Sequence, residues 1–162
     1  AGKPDPDKNI LSLPSRFIAE NNIIPGYSIR IGDRNKQSVA YDPANGFILK
    51  SSNHKLLLEM SSVPVKIEKG MRFCLSASFS KSGNFTGSIY LMALLINTGT
   101  DGKILKKDIL FTKEPVNSQN GKWIKIQKTF TISTNASRLL VHIKGNFTGS
   151  VILKDLQLIR LK

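Results

Sequence analysis

The amino-acid sequence predicts an all-β fold, an antiparallel sandwich or barrel, from three observations. Apolar and polar residues alternate with a period of two in several stretches of the chain. Short clusters rich in Gly, Asn, Asp and Ser separate these stretches, as turns do. No long, capped helical period follows residue 20, so the crossover helices of a parallel sheet are not visible. Seven to nine short strands with regular turns are typical of this fold class.

The length of 162 residues corresponds to one domain. Residues 1–15 are expected to be linker-like, because Pro4, Pro6 and Pro14 lie among charged and small residues. Residues 16–162 are expected to form a single β-sandwich domain. A chain of this size buries roughly two-thirds of its unfolded surface, which is enough for one core.

The clearest predicted strand runs from Met71 to Ser80, where every second residue is apolar. Residues 88–96 are apolar on both faces and indicate a central strand. The other alternating sets lie at 56–60, 63–67, 123–132, 139–143 and 152–161. Trp123, at the start of its set, is expected to anchor a strand in the core.

Turns are predicted at 68–70, 82–84, 100–102 and 120–121. The hexapeptide Gly-Asn-Phe-Thr-Gly-Ser occurs twice, at 83–88 and 145–150, and each copy leads into an apolar strand. Two copies do not make a repeat protein. The sequence therefore predicts the same turn at two equivalent hairpins.

The net charge of +13 favours an anionic partner: nucleic acid, anionic lipid headgroups or an acidic polysaccharide. Solubility alone would also account for it. Neither a basic tail nor a basic helical face is present. No apolar run reaches the roughly 20 residues that span a bilayer, so membrane insertion is not expected.

Catalytic motifs are not found. The two histidines, His54 and His142, have no neighbours at metal-ligand spacing, and a single cysteine, Cys74, excludes an internal disulfide. The sequence has no nucleophile elbow, phosphate loop or dinucleotide fingerprint. Glu59 has no convincing second carboxylate for a glycosidase pair. We therefore expect no enzymatic activity from this chain alone.

A binding surface is more plausible than a catalytic site. If their strands share a sheet, the polar-face residues Arg72, Tyr90, His142 and Lys144 could line one exposed surface. An aromatic ring flanked by hydrogen-bond donors suits a sugar, whose C–H face stacks on the ring. An ordinary solvated sheet face is the alternative interpretation.

The order of the sequence elements resembles non-catalytic carbohydrate-binding modules of the family 4, 9 and 22 type, which are galactose-binding-like jelly-roll β-sandwiches. The resemblance spans about residues 20–162. The segments that carry it are Ile24–Ile29 with its Pro-Gly-Tyr, Val65–Lys81 with its Lys-Gly turn and Leu-Ser-Ala strand, Gly121–Ile126 with its Gly-Lys-Trp, and Gly149–Leu158.

The resemblance implies a structural calcium ion held by an aspartate on the last strand and a glutamate near the first. Asp155 matches the former position, and Glu20 is the candidate for the latter. Lys154 stands where a second aspartate is common, which departs from the pattern because calcium requires hard oxygen ligands.

The expected function is that of a secreted or cell-surface module that binds a polysaccharide and directs an attached or partner enzyme to it. The charge favours an acidic glycan. The alternative is a structural or interaction sandwich that packs on a catalytic domain or partner protein. Nucleic acid is not expected, because single-strand binders pair basic grooves with several exposed aromatics.

Overall fold

Nine β-strands, paired only in antiparallel fashion, make up the regular structure of the residues described in the computed structural model, 6–115 and 121–162. The strands are β1 (Tyr27–Ile31), β2 (Gln37–Asp42), β3 (Gly46–Ser51), β4 (Leu57–Ser62), β5 (Val65–Lys66), β6 (Arg72–Thr98), β7 (Ile104–Lys113), β8 (Trp123–Thr131) and β9 (Arg138–Leu161). The predicted all-β, antiparallel jelly-roll β-sandwich is confirmed. No helix long and apolar enough to cross a membrane is present in the described ranges.

Two long strands, β6 and β9, organise the sandwich. They pair along nearly their whole length, from Arg72 opposite Leu161 to Ile96 opposite Arg138. The first half of β6 pairs with β8 and its second half with β7. The other edge of β9 pairs with β3 and β4, which in turn pair with β2 and β1. The order β1-β4-β9-β6-β7 defines layer A, and the order β2-β3-β9-β6-β8 defines layer B.

The two Gly-Asn-Phe-Thr-Gly-Ser copies lie where β6 and β9 pass from one layer to the other. They pair with each other, with Thr86 opposite Thr148 and Gly87 opposite Phe147. The register shifts between Ser82 and Thr86, and Asn84 and Gly87 have positive φ angles of 54° and 102°. The predicted hairpin turns are therefore wrong, because Gly and Asn here permit a bend within a continuous strand.

One buried cluster fills the space between the layers. The predicted alternation over 71–80 is confirmed, with Phe73, Leu75, Ala77 and Phe79 buried. In β9 the buried positions change from odd to even numbers at Asp155, whose φ of 54° marks a local irregularity. The core side chains therefore come from both halves of the two long strands.

Several elements were not predicted from the sequence. β2 is almost entirely buried, and β7 is exposed on both faces over Ile104–Ile109, so neither shows a half-buried alternation. Within the predicted linker-like segment, the Asp7 and Ile10 amides donate hydrogen bonds to β9 carbonyls. Pro4 and Asn120, which figure in the linker and turn predictions, lie outside the described residues.

Candidate functional site

A row of charged and aromatic side chains crosses the outer face of layer A. Arg30 on β1 lies opposite Glu59 on β4, Glu59 opposite Lys144 on β9, and Lys144 opposite Tyr90 on β6. Their sequence neighbours on these strands point into the core, so the four side chains share the outer face. The neighbouring row contains Ser28, Ser61, His142, Met92 and Thr112.

Glu59 lies between Arg30 and His142 on this face. Its Oε1 is 3.8 Å from Nε2 of His142, and its Oε2 is 3.7 Å from Nη1 of Arg30. The side chains of Glu59 and His142 are only 18% and 14% exposed. The Glu59 carboxylate therefore lies between the imidazole of His142 and the guanidinium of Arg30. The Arg30 side chain itself is largely exposed to solvent.

Burial lowers the pKa of His142 below its ordinary value. The carboxylate of Glu59 acts in the opposite direction, and the cations Lys144, Lys107 and Arg30 lower the pKa further. His142 is consequently neutral at pH 7. Its buried Nε2 has no hydrogen-bond partner within the part of the chain that the structure describes.

A shallow pocket of about 220 Å³ lies beside this row, formed by β6, β7 and β9. Tyr90, 36% exposed, supplies an aromatic wall. The lining residues are Tyr90, Met92, Thr112, Lys144, Gly145 and Asn146. The pocket thus combines an aromatic ring with an ammonium, a hydroxyl and an amide, the groups that bind a hydroxylated ligand.

The structure brings together three of the four predicted ligand residues: Tyr90, His142 and Lys144. Arg72 does not join them, because it lies in layer B, opposite Thr131 and Leu161. Arg30 and Glu59 belong to this surface but were not predicted as ligand residues from the sequence. Their strands are far from β9 in sequence, and no local signal specifies which strands pair.

The calcium site expected at Glu20 and Asp155 stays a prediction. The Glu20 carboxylate is 3.5 Å from the ammonium of Lys50. Asp155 is exposed at the irregularity in β9. Over residues 6–115 and 121–162, no group of three or more His, Cys, Asp or Glu side chains could hold a metal ion. Because calcium takes six to eight oxygen ligands, Glu20 and Asp155 would need further oxygen ligands to hold it.

Trp123 is not in the core, contrary to the sequence-based expectation. Its side chain is 45% exposed at the start of β8. The ammonium of Lys154 lies 4.0 Å from the ring centroid. Side chains alternate along β8, and Ile124 and Ile126 point into the core. Trp123 therefore lies on the outer face.

No protein-family model and no curated protein matches the sequence. Solved structures match the fold, and most of them are carbohydrate-binding modules. The CBM22-1 xylan-binding domain of Paenibacillus barcinonensis Xyn10C has a TM-score of 0.54 at 13% identity, covering 100% of this chain and 99% of that one. A family 16 carbohydrate-binding module has a TM-score of 0.52 at 14% identity, covering 76% of this chain and 85% of that one.

The enzymatically active domain of bacteriophage CBA120 tailspike protein 4 has a TM-score of 0.63 at 10% identity. That match covers 85% of this chain and 20% of the tailspike chain, so the present chain spans about a fifth of that protein. Taken together, these likenesses establish a fold of the carbohydrate-binding-module type.

Proposed function

We propose that the chain is a non-catalytic carbohydrate-binding module that binds a polysaccharide on the outer face of layer A. The observation that carries this proposal is the row Arg30–Glu59–Lys144–Tyr90 beside the pocket. The fold supports it as well, since most of the similar solved structures are named as such modules.

Tyr90 is the stacking group of the proposed site. Its ring is partly exposed, and it stands beside Lys144 and Asn146 in the pocket lining. A sugar ring presents C–H bonds on one face and hydroxyls at its edge. The C–H face would lie on the tyrosine while the hydroxyls bond to the ammonium and amide.

The proposed glycan is acidic, because cations outnumber carboxylates at the site. Among the described residues, three cations, Arg30, Lys107 and Lys144, and one carboxylate, Glu59, act electrostatically on His142. The chain as a whole carries +13. A uronic acid carboxylate would therefore be attracted to the face and would pair with Lys144.

The proposed role is to hold an attached or partner catalytic domain on its polysaccharide, outside the cell or at its surface. One similar structure contains a CBM22-1 module and a GH10 module of Clostridium thermocellum Xyn10B in one chain. This precedent for a linked enzyme comes from that protein. The proposal assigns catalysis to the attached or partner domain and not to the present chain.

An interaction domain without glycan binding is the second candidate, and one observation favours it. β7 lies at the edge of layer A, where it pairs only with β6 among the described strands, and Ile104, Leu105 and Ile109 on it are exposed. Exposed edge strands with large apolar side chains are common docking elements.

Calorimetric titration against polygalacturonate, xylan and galactan, at low and moderate salt, separates the two candidates. We expect saturable binding to the acidic polymer, and the affinity of the site at Tyr90 should fall at least tenfold in Tyr90→Ala. Phe17→Ala is the matched control, because Phe17 is an exposed aromatic elsewhere on the surface. Absence of saturable binding to every glycan would leave the interaction domain as the better account.

A further inference from the structure

The outer face of layer B carries a second ordered set of polar side chains. Three strands contribute to it in register: β8, the first half of β6 and the second half of β9. The residues form three rows across these strands: Trp123–Ser80–Ile152, Lys125–Ser78–Lys154 and Gln127–Ser76–Gln157. Adjacent strands are about 4.8 Å apart, so each row is roughly 10 Å wide.

Trp123 is the prominent side chain of this surface, which we term the Trp123 face. The indole of Trp123 is 45% exposed, so a large apolar area is in contact with water. Such exposed aromatic side chains are frequent anchors of bound partners. The Lys154 ammonium over the ring holds the two side chains together. The anchor and a cation are therefore already placed side by side before any ligand arrives.

The charges of the Trp123 face are almost all positive. The three strand segments that form it, residues 72–80, 123–131 and 150–161, contain one carboxylate, Asp155. Arg72, Lys125 and Lys154 occupy outward positions by alternation. A ligand for this surface is therefore expected to be anionic.

The remaining side chains are suited to a hydroxylated ligand. Ser76 and Ser78 are small and half-buried, so they keep the centre of the surface shallow. Gln127 and Gln157 flank them with amides that both donate and accept hydrogen bonds. The result is a shallow strip with an aromatic ring at one end, two lysines across its middle and two amides at the other end.

We propose that the Trp123 face is a second binding surface for an acidic polysaccharide, on the opposite layer from the Tyr90 site. Single-stranded nucleic acid is the competing ligand for a basic surface, but its binders stack successive bases on several aromatics. The three rows of the Trp123 face contain one aromatic ring and five hydroxyl or amide side chains. That composition favours sugar residues.

The presence of a single tryptophan in the chain allows a direct test. Tryptophan emission is recorded while the full chain is titrated with polygalacturonate at moderate salt. Emission then reports on the Trp123 face, because the Tyr90 site lies on the other layer. We expect a saturable change in emission that persists in Tyr90→Ala.

Two charge variants on the same strand provide the matched comparison. Lys125→Ala removes a cation from the Trp123 face, whereas Lys128→Ala removes one from a position that alternates away from it. We expect the affinity reported by Trp123 to fall about tenfold in Lys125→Ala and less than twofold in Lys128→Ala. Equal weakening in both variants would overturn the proposal, because only net charge would then matter.

Two further outcomes would also overturn it. The first is unchanged emission on saturation with polygalacturonate, as expected if the glycan binds at Tyr90 alone. The second is an equal emission change and affinity with oligo-dT, which would indicate a nucleic-acid surface. Binding that is lost in Tyr90→Ala without any emission change would support the proposed function and reject only the second surface.

Discussion

The carboxylate of Glu59 and the imidazole of His142 face each other diagonally across β4 and β9, with Oε1 and Nε2 3.8 Å apart. Both side chains are largely buried, and Arg30 lies on the other carboxylate oxygen. Burial lowers the pKa of His142 while Glu59 opposes that effect. Burial is the larger effect, so His142 is neutral at pH 7 and gains its proton only in acid.

Stability is expected to fall between pH 7.5 and 5, and His142 is expected to account for part of the loss. The pKa of His142 is lower in the folded state than in the unfolded state, so the unfolded chain binds the proton first as the pH falls. The contribution of neutral His142 to the free energy of unfolding is complete above about pH 6.5, the pKa of histidine in the unfolded chain. It is lost as the pH falls through the lower pKa of His142 in the folded protein.

Thermal unfolding of the wild type, His142→Gln and His54→Gln at pH 7.5 and 5 tests this expectation. We expect a smaller drop in Tm for His142→Gln than for the wild type. His54→Gln should behave like the wild type, because His54 is exposed. An identical drop in all three proteins would assign the acid sensitivity to other groups.

Glu59→Gln is expected to strengthen binding of an acidic glycan. The substitution removes the carboxylate beside His142 and leaves Arg30 and Lys144 in place. A charge interaction near the protein surface contributes about 0.2–1 kcal/mol, so we expect an affinity gain of up to about fivefold. Calorimetry with polygalacturonate measures it, and Asp108→Asn on β7 is the charge-matched control. Weaker binding in Glu59→Gln would mean that the carboxylate itself bonds to sugar hydroxyls.

The sequence was sufficient for the fold class but not for the arrangement of the site. The alternation over 71–80 predicts one buried face because local side-chain periodicity survives in the folded strand. The pairing of Glu59 with Lys144 joins residues more than 80 positions apart in the chain, and no local pattern specifies it. The alternation also places Arg72 and Tyr90 on outer faces, but only the bend between them puts those faces on opposite layers.

The calcium expectation has a simple solution test. Glu20 pairs with Lys50, and no cluster of three potential ligands that includes Glu20 or Asp155 is found in the described ranges. We therefore expect the same Tm in 5 mM calcium and in excess EDTA, to within about 1 °C. A Tm that rises with calcium concentration would show that the folded protein binds calcium, and loss of that rise in Asp155→Asn would locate the ion at Asp155.

Gly87→Ala is expected to destabilise the fold strongly, because the bend between the layers needs a residue without a side chain. Gly87 has a φ of 102°, and a Cβ there would overlap the carbonyl oxygen of Asn146 on the paired strand. The neighbouring backbone atom, Cα of Phe147, would be only 2.8 Å away. We expect a loss of about 3 kcal/mol or more in the free energy of unfolding, from backbone strain and the clash together.

Gly102→Ala separates these two causes. Gly102 also has a positive φ, of 80°, but a Cβ there meets nothing within 4 Å. Only the conformational strain remains, and we expect a loss of about 1 kcal/mol. Urea unfolding of both variants measures the difference. Equal losses would mean that β6 and β9 can separate at the bend at little energetic cost, and that the paired repeats are not what fixes the angle between the layers.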